Sequence, residues 1–307
     1  MTTPPRFVHV VDDVPELEGV RPVLVHALDG FLDAGHAGSL AAGSLLGEQP
    51  GRVVASFDID EFYDYRARRP PMTFAENHYE GYEAPRLVVR LQHDDADVPY
   101  LLLHGPEPDT HWEAFCRAVL HLVERFDVRM TVALGSVPMA VPHTRPVKLT
   151  NHATRPDLLV QENVWTGDIR VPSSAQALLE IRLGEADQDA CGFVAHIPHY
   201  VAQFDYPRAA ATLLEQVSVV TDLVWDLEGL RVLGEEKMVE ISAQIEESAD
   251  VREVVRGLEQ QYDAFHRAAA DEAPSLLAEP RDLPSGDELG AEFERFLAGL
   301  DGPDRED

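Results

Sequence analysis

Apolar residues follow two rhythms along this chain, and the change from one to the other divides it. Short continuous apolar runs at Pro22 to Ala27, Val53 to Phe57, Arg86 to Gln92, Pro99 to His104, Met130 to Leu134 and Cys191 to Ile197 read as strands, because short apolar runs bounded by turn signals mark strands buried on both faces. The Met130 run is expected to break at Gly135. Segments of helical period lie between the runs. A small-residue helix follows the turn-rich stretch Leu28 to His36 and ends near Gly47. Asp109 stands where a cap would open a helix to about Phe126, with Trp112, Phe115, Val119, Leu122 and Val123 on one face. Ser173 or Ser174 can cap a helix to Leu183, and Pro207 opens one to Val224. Strands alternating with helices predict an α/β fold, a three-layer α/β/α core over residues 1–226 with its sheet covered on both faces.

After Asp226 the strand signal stops. Leu230, Leu233, Val239, Ile241 and Ile245 recur at helical spacing, and Asp250 with Glu253 reads as a capping box for a second helix bearing Val251, Val254, Val255, Leu258, Tyr262 and Phe265. Residues 227–270 are therefore expected to form an antiparallel helical hairpin, a C-terminal helical extension of the core. Residues 271–307 hold Pro274, Pro280 and Pro284 and twelve acidic residues against three arginines. This acidic linker contains one amphipathic helix candidate, with Leu289, Phe293, Phe296, Leu297 and Leu300 on a shared face. Such a stripe docks either on its own core or on a partner.

Charge narrows the range of partners. Fifty-five Asp and Glu against 25 Lys and Arg give a net charge of −30 over 307 residues, which repels phosphate backbones and anionic headgroups and argues against nucleic acid and membrane surfaces. Cys116 and Cys191 sit in apolar contexts, as buried thiols do. No signal-peptide pattern and no spanning run of about 18 apolar residues is present, so a cytoplasmic location is expected.

Candidate chemistry is sparse. Asp29, Gly30, Asp33, Gly35 and His36 lie where the first long strand ends and a helix begins, and Gly135 and Ser136 follow another strand. In an open α/β sheet such strand ends bind ligands, so these seven residues form a candidate cleft. The plainer reading is a capped tight turn: Asp29 and Asp33 oppose a phosphate, and Asp33 is itself a helix-cap type. Ser136 lacks the Gly-x-Ser-x-Gly spacing of a nucleophile elbow. His196 and His199 flank a proline and cannot form the helical pair of a zinc protease, and no metal or cofactor is expected from them or from His143 and His152. No catalytic residue is assigned. The stretch 57–71 gathers aromatics, carboxylates and arginines, making Phe62, Tyr63, Tyr65, Arg66, Arg68 and Arg69 a candidate interaction surface, since interfaces are enriched in Tyr and Arg. A solvated strand edge with local ion pairs is the competing reading.

Taken in order, Ala27-Leu-Asp-Gly-Phe-Leu-Asp-Ala-Gly-His-Ala-Gly-Ser-Leu, Phe57-Asp-Ile-Asp-Glu-Phe-Tyr-Asp-Tyr-Arg, His104-Gly-Pro-Glu-Pro-Asp-Thr-His-Trp, Leu134-Gly-Ser-Val-Pro-Met-Ala-Val-Pro-His and His196-Ile-Pro-His-Tyr-Val resemble the PAC2 family, related to proteasome assembly chaperones, in its bacterial branch. The resemblance covers roughly residues 20–270. It implies a phosphorylase-like α/β/α core with a helical extension, self-association for which a trimer is the first expectation, and proteasome subunits as candidate partners. The expected function is reversible protein binding. The alternative is a small-molecule enzyme or sensor, hydrolase- or nucleoside phosphorylase-like, using the cleft near Asp29 and Ser136. Chaperone relatives that dock by a hydrophobic residue, a tyrosine and one final residue differ from this sequence, which closes on Asp304-Arg305-Glu306-Asp307.

Overall fold

The computed structural model describes residues 6–160, 163 and 168–270. Among the described residues ten strands are present: β1 (Val8–Val10), β2 (Val23–Asp29), β3 (Val53–Phe57), β4 (Thr73–Ala75), β5 (His78–Glu80), β6 (Val88–His93), β7 (Pro99–Pro106), β8 (Met130–Met139), β9 (Leu149–Ala153) and β10 (Ala190–Pro198). The helices are α1 (Ala37–Leu46), α2 (Ile59–Phe62), α3 (Trp112–Arg125), α4 (Ala175–Glu185), α5 (Pro207–Thr221), α6 (Glu228–Glu246) and α7 (Ala249–Ala270).

Successive residues of a strand face opposite ways, and on β2 both ways are apolar. Val23, Val25 and Ala27 join Val132, Leu134, Phe193 and Ala195 in a core closed by α1 and α5, and Leu230 and Ile241 carry α6 into the same core. Leu24 and Leu28 join Leu101, Leu103 and Val89 in a second core closed by Phe115, Val119 and Leu122 of α3 and by Leu179 and Leu183 of α4. The result is the three-layer α/β/α arrangement. Strand order is β1-β3-β6-β7-β2-β8-β10-β9. The central four, β7, β2, β8 and β10, are parallel, and the outer pairings are antiparallel. The C-terminal ends of the parallel strands therefore lie at one end of the sheet.

Several boundaries differ from the sequence reading. Strand β8 does not stop at Gly135 but continues to Met139, because its backbone stays paired with β10 from Thr131↔Ala190 to Met139↔Pro198, and that pairing outweighs a glycine's weak preference against strand. Asp109 does not cap α3. Its carboxylate accepts from the Asp64 amide at 2.7 Å and from Arg68 at 2.6 Å, while His111 in left-handed conformation precedes the helix. Asp250 lies inside α7, whose first turn is met by the Ser248 hydroxyl, 3.5 Å from the Val251 amide. Helix α5 ends at Thr221, where Asp222 turns left-handed at φ 61°. Ser174 does cap α4, accepting from the Ala177 amide at 3.0 Å. Strands β1, β4 and β5 and helix α2 are too short to leave a readable period, and β9, Leu-Thr-Asn-His-Ala, carries no apolar run.

The helical pair expected over 227–270 is α6 and α7. Val255 and Leu258 of α7 are buried, and Arg145, in the loop after β8, holds the helix with a two-pronged contact to Asp263 at 2.8 and 2.7 Å and a further one to Glu259 at 3.3 Å. The amphipathic segment 287–300 lies outside the described residues.

Candidate functional site

The parallel strands deliver β2, β7, β8 and β10 to one end of the sheet. Strand β2 leads into α1, packed on the first face, whereas β8 leads by way of the edge strand β9 to α4 on the other. Chain connections that part in this way open a crevice between neighbouring strands, the usual ligand site of α/β sheets. Here several polar groups are bonded to the chain's own backbone. Asp33 and Ser136 form a parallel bridge, the Ser136 amide donates to the Leu32 carbonyl at 2.9 Å, and its fully buried hydroxyl donates to the Ala34 carbonyl at 2.7 Å. Gly135 packs against Leu32 and Gln176.

The Asp33 carboxylate accepts from the Gly38 amide at 2.8 Å and the Ser39 amide at 3.3 Å, meeting the unsatisfied amides that open α1. The Ser39 hydroxyl lies between the Asp33 and Asp29 carboxylates. Burial raises the Asp33 carboxyl above the ordinary range, opposed by the Ser39 and Gly38 hydrogen bonds and aided by the neighbouring Asp29 charge. Gly35 is buried at φ 64°, a conformation glycine alone adopts freely, and a side chain there would strike Tyr206. Its amide donates to Ala202 at 2.6 Å and its carbonyl accepts from Tyr206 at 2.9 Å. His36 turns outward to Asp205 at 2.8 Å.

Glu107, which the sequence reading passed over, closes the other wall. It accepts from the Phe31 amide at 3.1 Å and from the Ala175 amide at 2.7 Å, so its negative charge meets the positive end of α4. A Cβ on Gly30 would collide with this carboxylate, so Gly30 is a packing requirement.

The stretch 57–71 divides. Phe62 belongs to the core and not to any surface: it is fully buried, with ring contacts to Phe57, Phe7 and Phe115. The apolar side of α2 turns it inward. Arg68 is a tie rather than a free guanidinium, donating to the Glu107 carbonyl at 2.7 Å, to Asp109 at 2.6 Å and to the Asp29 carbonyl at 3.4 Å, while it lies 4.6 Å from the Tyr63 ring centroid. It joins the two candidate regions physically. Tyr63 and Tyr65 are half-buried, with the Tyr65 hydroxyl donating to Asp60 at 2.7 Å, and that bond raises its pKa first, followed by burial. Arg66 and Arg69 are exposed.

What the sequence reading missed is the hairpin β4–β5. Phe74 and Tyr79 face each other across it, ring centroids 4.9 Å apart, with exposures of 59% and 73% against a fully buried Phe62. By alternation Met72 shares their side, and it is also exposed. Tyr82, just past the second strand, is hydrogen-bonded to Tyr65, and every strand residue of the hairpin except the half-buried Ala75 is exposed. Phe31, Ile169, Val171 and Phe204, in loops at this same end, are exposed too. Three residues per strand give too short an alternation to detect.

The candidate histidines are engaged. His143 pairs with the Tyr200 hydroxyl at 2.8 Å, His152 with Glu180 at 2.5 Å, and His196 with Thr150 at 2.8 Å. Burial lowers the pKa of His143, His196 and His199. Among the described residues no group of three or more His, Cys, Asp or Glu could hold a metal ion, and no helix is long and apolar enough to cross a membrane.

The model of the PAC2 family matches residues 27–249. An unknown-function protein of Mycobacterium tuberculosis is similar in structure with TM-score 0.82, at 44% identity over 88% of this chain and 93% of that one. A protein of unknown function from Corynebacterium glutamicum aligns with TM-score 0.81, at 36% identity over 85% of this chain and 98% of that one. A Mycobacterium tuberculosis proteasome-assembly chaperone homologue aligns with TM-score 0.70, at 27% identity over 76% of this chain and 99% of that one. Comparison with curated proteins returned no match.

Proposed function

This chain belongs to the PAC2 family, and from that premise we propose that it is a protein-binding factor of the proteasome-assembly-chaperone kind. It self-associates, with a trimer as the expected form, and its working face is the sheet end that carries the β4–β5 hairpin. One observation supports this reading above the others. At the strand ends Ser136, Asp33 and Glu107 make hydrogen bonds to the chain's own backbone, while the same end exposes Phe31, Phe74, Tyr79 and Phe204. Exposed aromatics grouped at one end of a soluble core are the hallmark of a binding surface. Proteasome subunits are the candidate partners, on the analogy of the chaperone homologue.

The test is affinity purification of the full chain from its own cell lysate at moderate salt, with mass spectrometry of what co-purifies. Proteasome subunits retained by the wild type and lost with Phe74→Asp/Tyr79→Asp support the reading. A stoichiometric small molecule and no protein partner overturns it in favour of the enzyme or sensor. Light scattering that gives a monomer mass at micromolar concentration overturns the self-association.

A further inference from the structure

Helix α7 is tied to the core through one short stretch of the loop after β8. The Thr144 hydroxyl donates to Glu259 at 2.5 Å, Arg145 donates to Asp263 at 2.8 and 2.7 Å, and the Tyr262 hydroxyl donates to the Pro146 carbonyl at 3.2 Å. His143 immediately precedes these residues, and histidine is the side chain that titrates near neutral pH. It is 2% exposed. Its ring lies between Tyr200, packed on the core, and Ser242 of α6. It also borders a cavity of about 180 Å³ lined by Ile245 of α6 and Val255 of α7.

Hydrogen bonds set the ring's protonation. The His143 amide donates to the Tyr200 hydroxyl oxygen at 2.8 Å, and Nδ1 lies 2.8 Å from that same oxygen. A hydroxyl carries one proton. With its oxygen accepting the amide, that proton serves Nδ1, so the network assigns the imidazole proton to Nε2, 3.5 Å from the Ser242 hydroxyl. A second proton, on Nδ1, would meet the hydroxyl's own and turn it away from its acceptor, and a buried donor without a partner is costly.

The surrounding charges oppose that second proton as well. Arg208 of α5, Arg252 and Arg256 of α7 and Arg145 of the loop stand against Glu246 of α6 and Glu259 and Asp263 of α7. Each carboxylate already has its cation: Glu246 holds Arg252 at 3.1 Å, and Glu259 and Asp263 hold Arg145 at 3.3 and 2.7 Å. Arg256 forms no ion pair among the described residues. On the core side Tyr200 is backed by the His199 ring. An imidazolium here would be a buried cation among surplus cations. Burial chiefly, and Arg208 with it, hold the His143 pKa below the ordinary 6.5, while Glu259 pulls the other way.

We propose that uncharged His143 is the latch of the helical pair: when its imidazole takes a second proton, α7 lifts from residues 144–146, turning at Glu247 and Ser248, and uncovers the buried Val255 and Leu258. A released imidazole titrates near 6.5 and a docked one lower. Docking is therefore fully favoured above that value and weakens as pH falls below it. The extension becomes an arm with an apolar face offered only in acid, whatever the core binds.

Hydrogen exchange on the full chain, expressed as protection factors at neutral pH and at about pH 5.5, tests the latch. Amides of 250–265 in α7 should lose protection several-fold, and by no more than about ten-fold, the ratio of charged to neutral imidazole for an ordinary histidine at the lower pH. His143→Gln, which cannot take the charge, should remove the loss. Constant protection in the wild type overturns the proposal. So does a loss that persists in His143→Gln, which would move the sensor to Glu259 and Asp263, or one that merely tracks β2, the strand of His26, and so reports global unfolding. Should His143→Gln leave α7 unprotected at both pH values, the wild-type imidazole decides. An NMR titration of His143 with a midpoint below 6.5, in step with the loss in α7, upholds the latch; a midpoint at or above that value, or out of step, overturns it.

Discussion

The crevice between β2 and β8 and the hairpin β4–β5 sit at the same end of one sheet and differ in almost every respect. The crevice is rich in residue types that suggest chemistry, yet each polar group there is tied: Ser136 to Ala34, Asp33 to the first amides of α1, Glu107 to Phe31 and Ala175. The hairpin has ordinary composition, yet its rings are exposed. The difference teaches that a group's availability is set by its neighbours' unmet hydrogen bonds. A strand end that must begin a helix uses its Asp and Ser for that purpose, and a hairpin too thin to cover itself keeps its aromatics free.

Substitution contrasts the two regions. The largest effect is expected inside: Phe62→Ala removes a ring packed against Phe57 and Phe115 and costs about 3–5 kcal/mol in chemical denaturation. A loss under about 1 kcal/mol would return Phe62 to the surface. Acid acts on the interior next. His26, Ala133, Gly192 and His152 lie in register across β2, β8, β10 and β9. Burial first, then the neighbouring His152, push the His26 pKa down to about 3. The unfolded side chain titrates near 6.5, so below that value the unfolded state binds more protons. Stability from this residue is complete above about pH 6.5 and is lost as pH falls towards 3. His26→Leu should flatten that slope in denaturation midpoints measured across this range, and an unchanged slope would remove His26 as its source.

Glu107→Ala strands two amides, at Phe31 and Ala175, and should cost about 1–3 kcal/mol, read by the same denaturation. Ser136→Ala should cost about 1 kcal/mol, because the hydroxyl leaves one buried carbonyl, Ala34, without its donor. It should leave partner capture unaltered; a loss of capture with unchanged stability would restore Ser136 to the functional site. The smallest effect on stability is expected at the hairpin, where Tyr79→Ala should fall within about 0.5 kcal/mol while weakening capture of partners.

Legibility followed length and periodicity. The strand at Val53 to Phe57 and the helix capped by Ser174 were readable because a short apolar run or a single hydroxyl suffices to mark them. Phe62 was misread because a charged neighbourhood in sequence, Asp60, Glu61 and Asp64, surrounds a side chain that a one-turn helix directs inward. Glu107 had no signal at all: its partners lie 76 and 68 residues away.

Sequence alone determined the alternation of strands and helices, the two-sided burial of the sheet, the helical pair after Asp226 and the acidic balance, since each is a property of residue order or of a sum over residues. Only the tertiary structure decided that Ser136 is buried against the Ala34 carbonyl while the rings of the hairpin are exposed. Both outcomes depend on which distant backbone groups each side chain meets, and that is settled when the sheet assembles in the order β7-β2-β8-β10, bringing together segments that no local pattern connects.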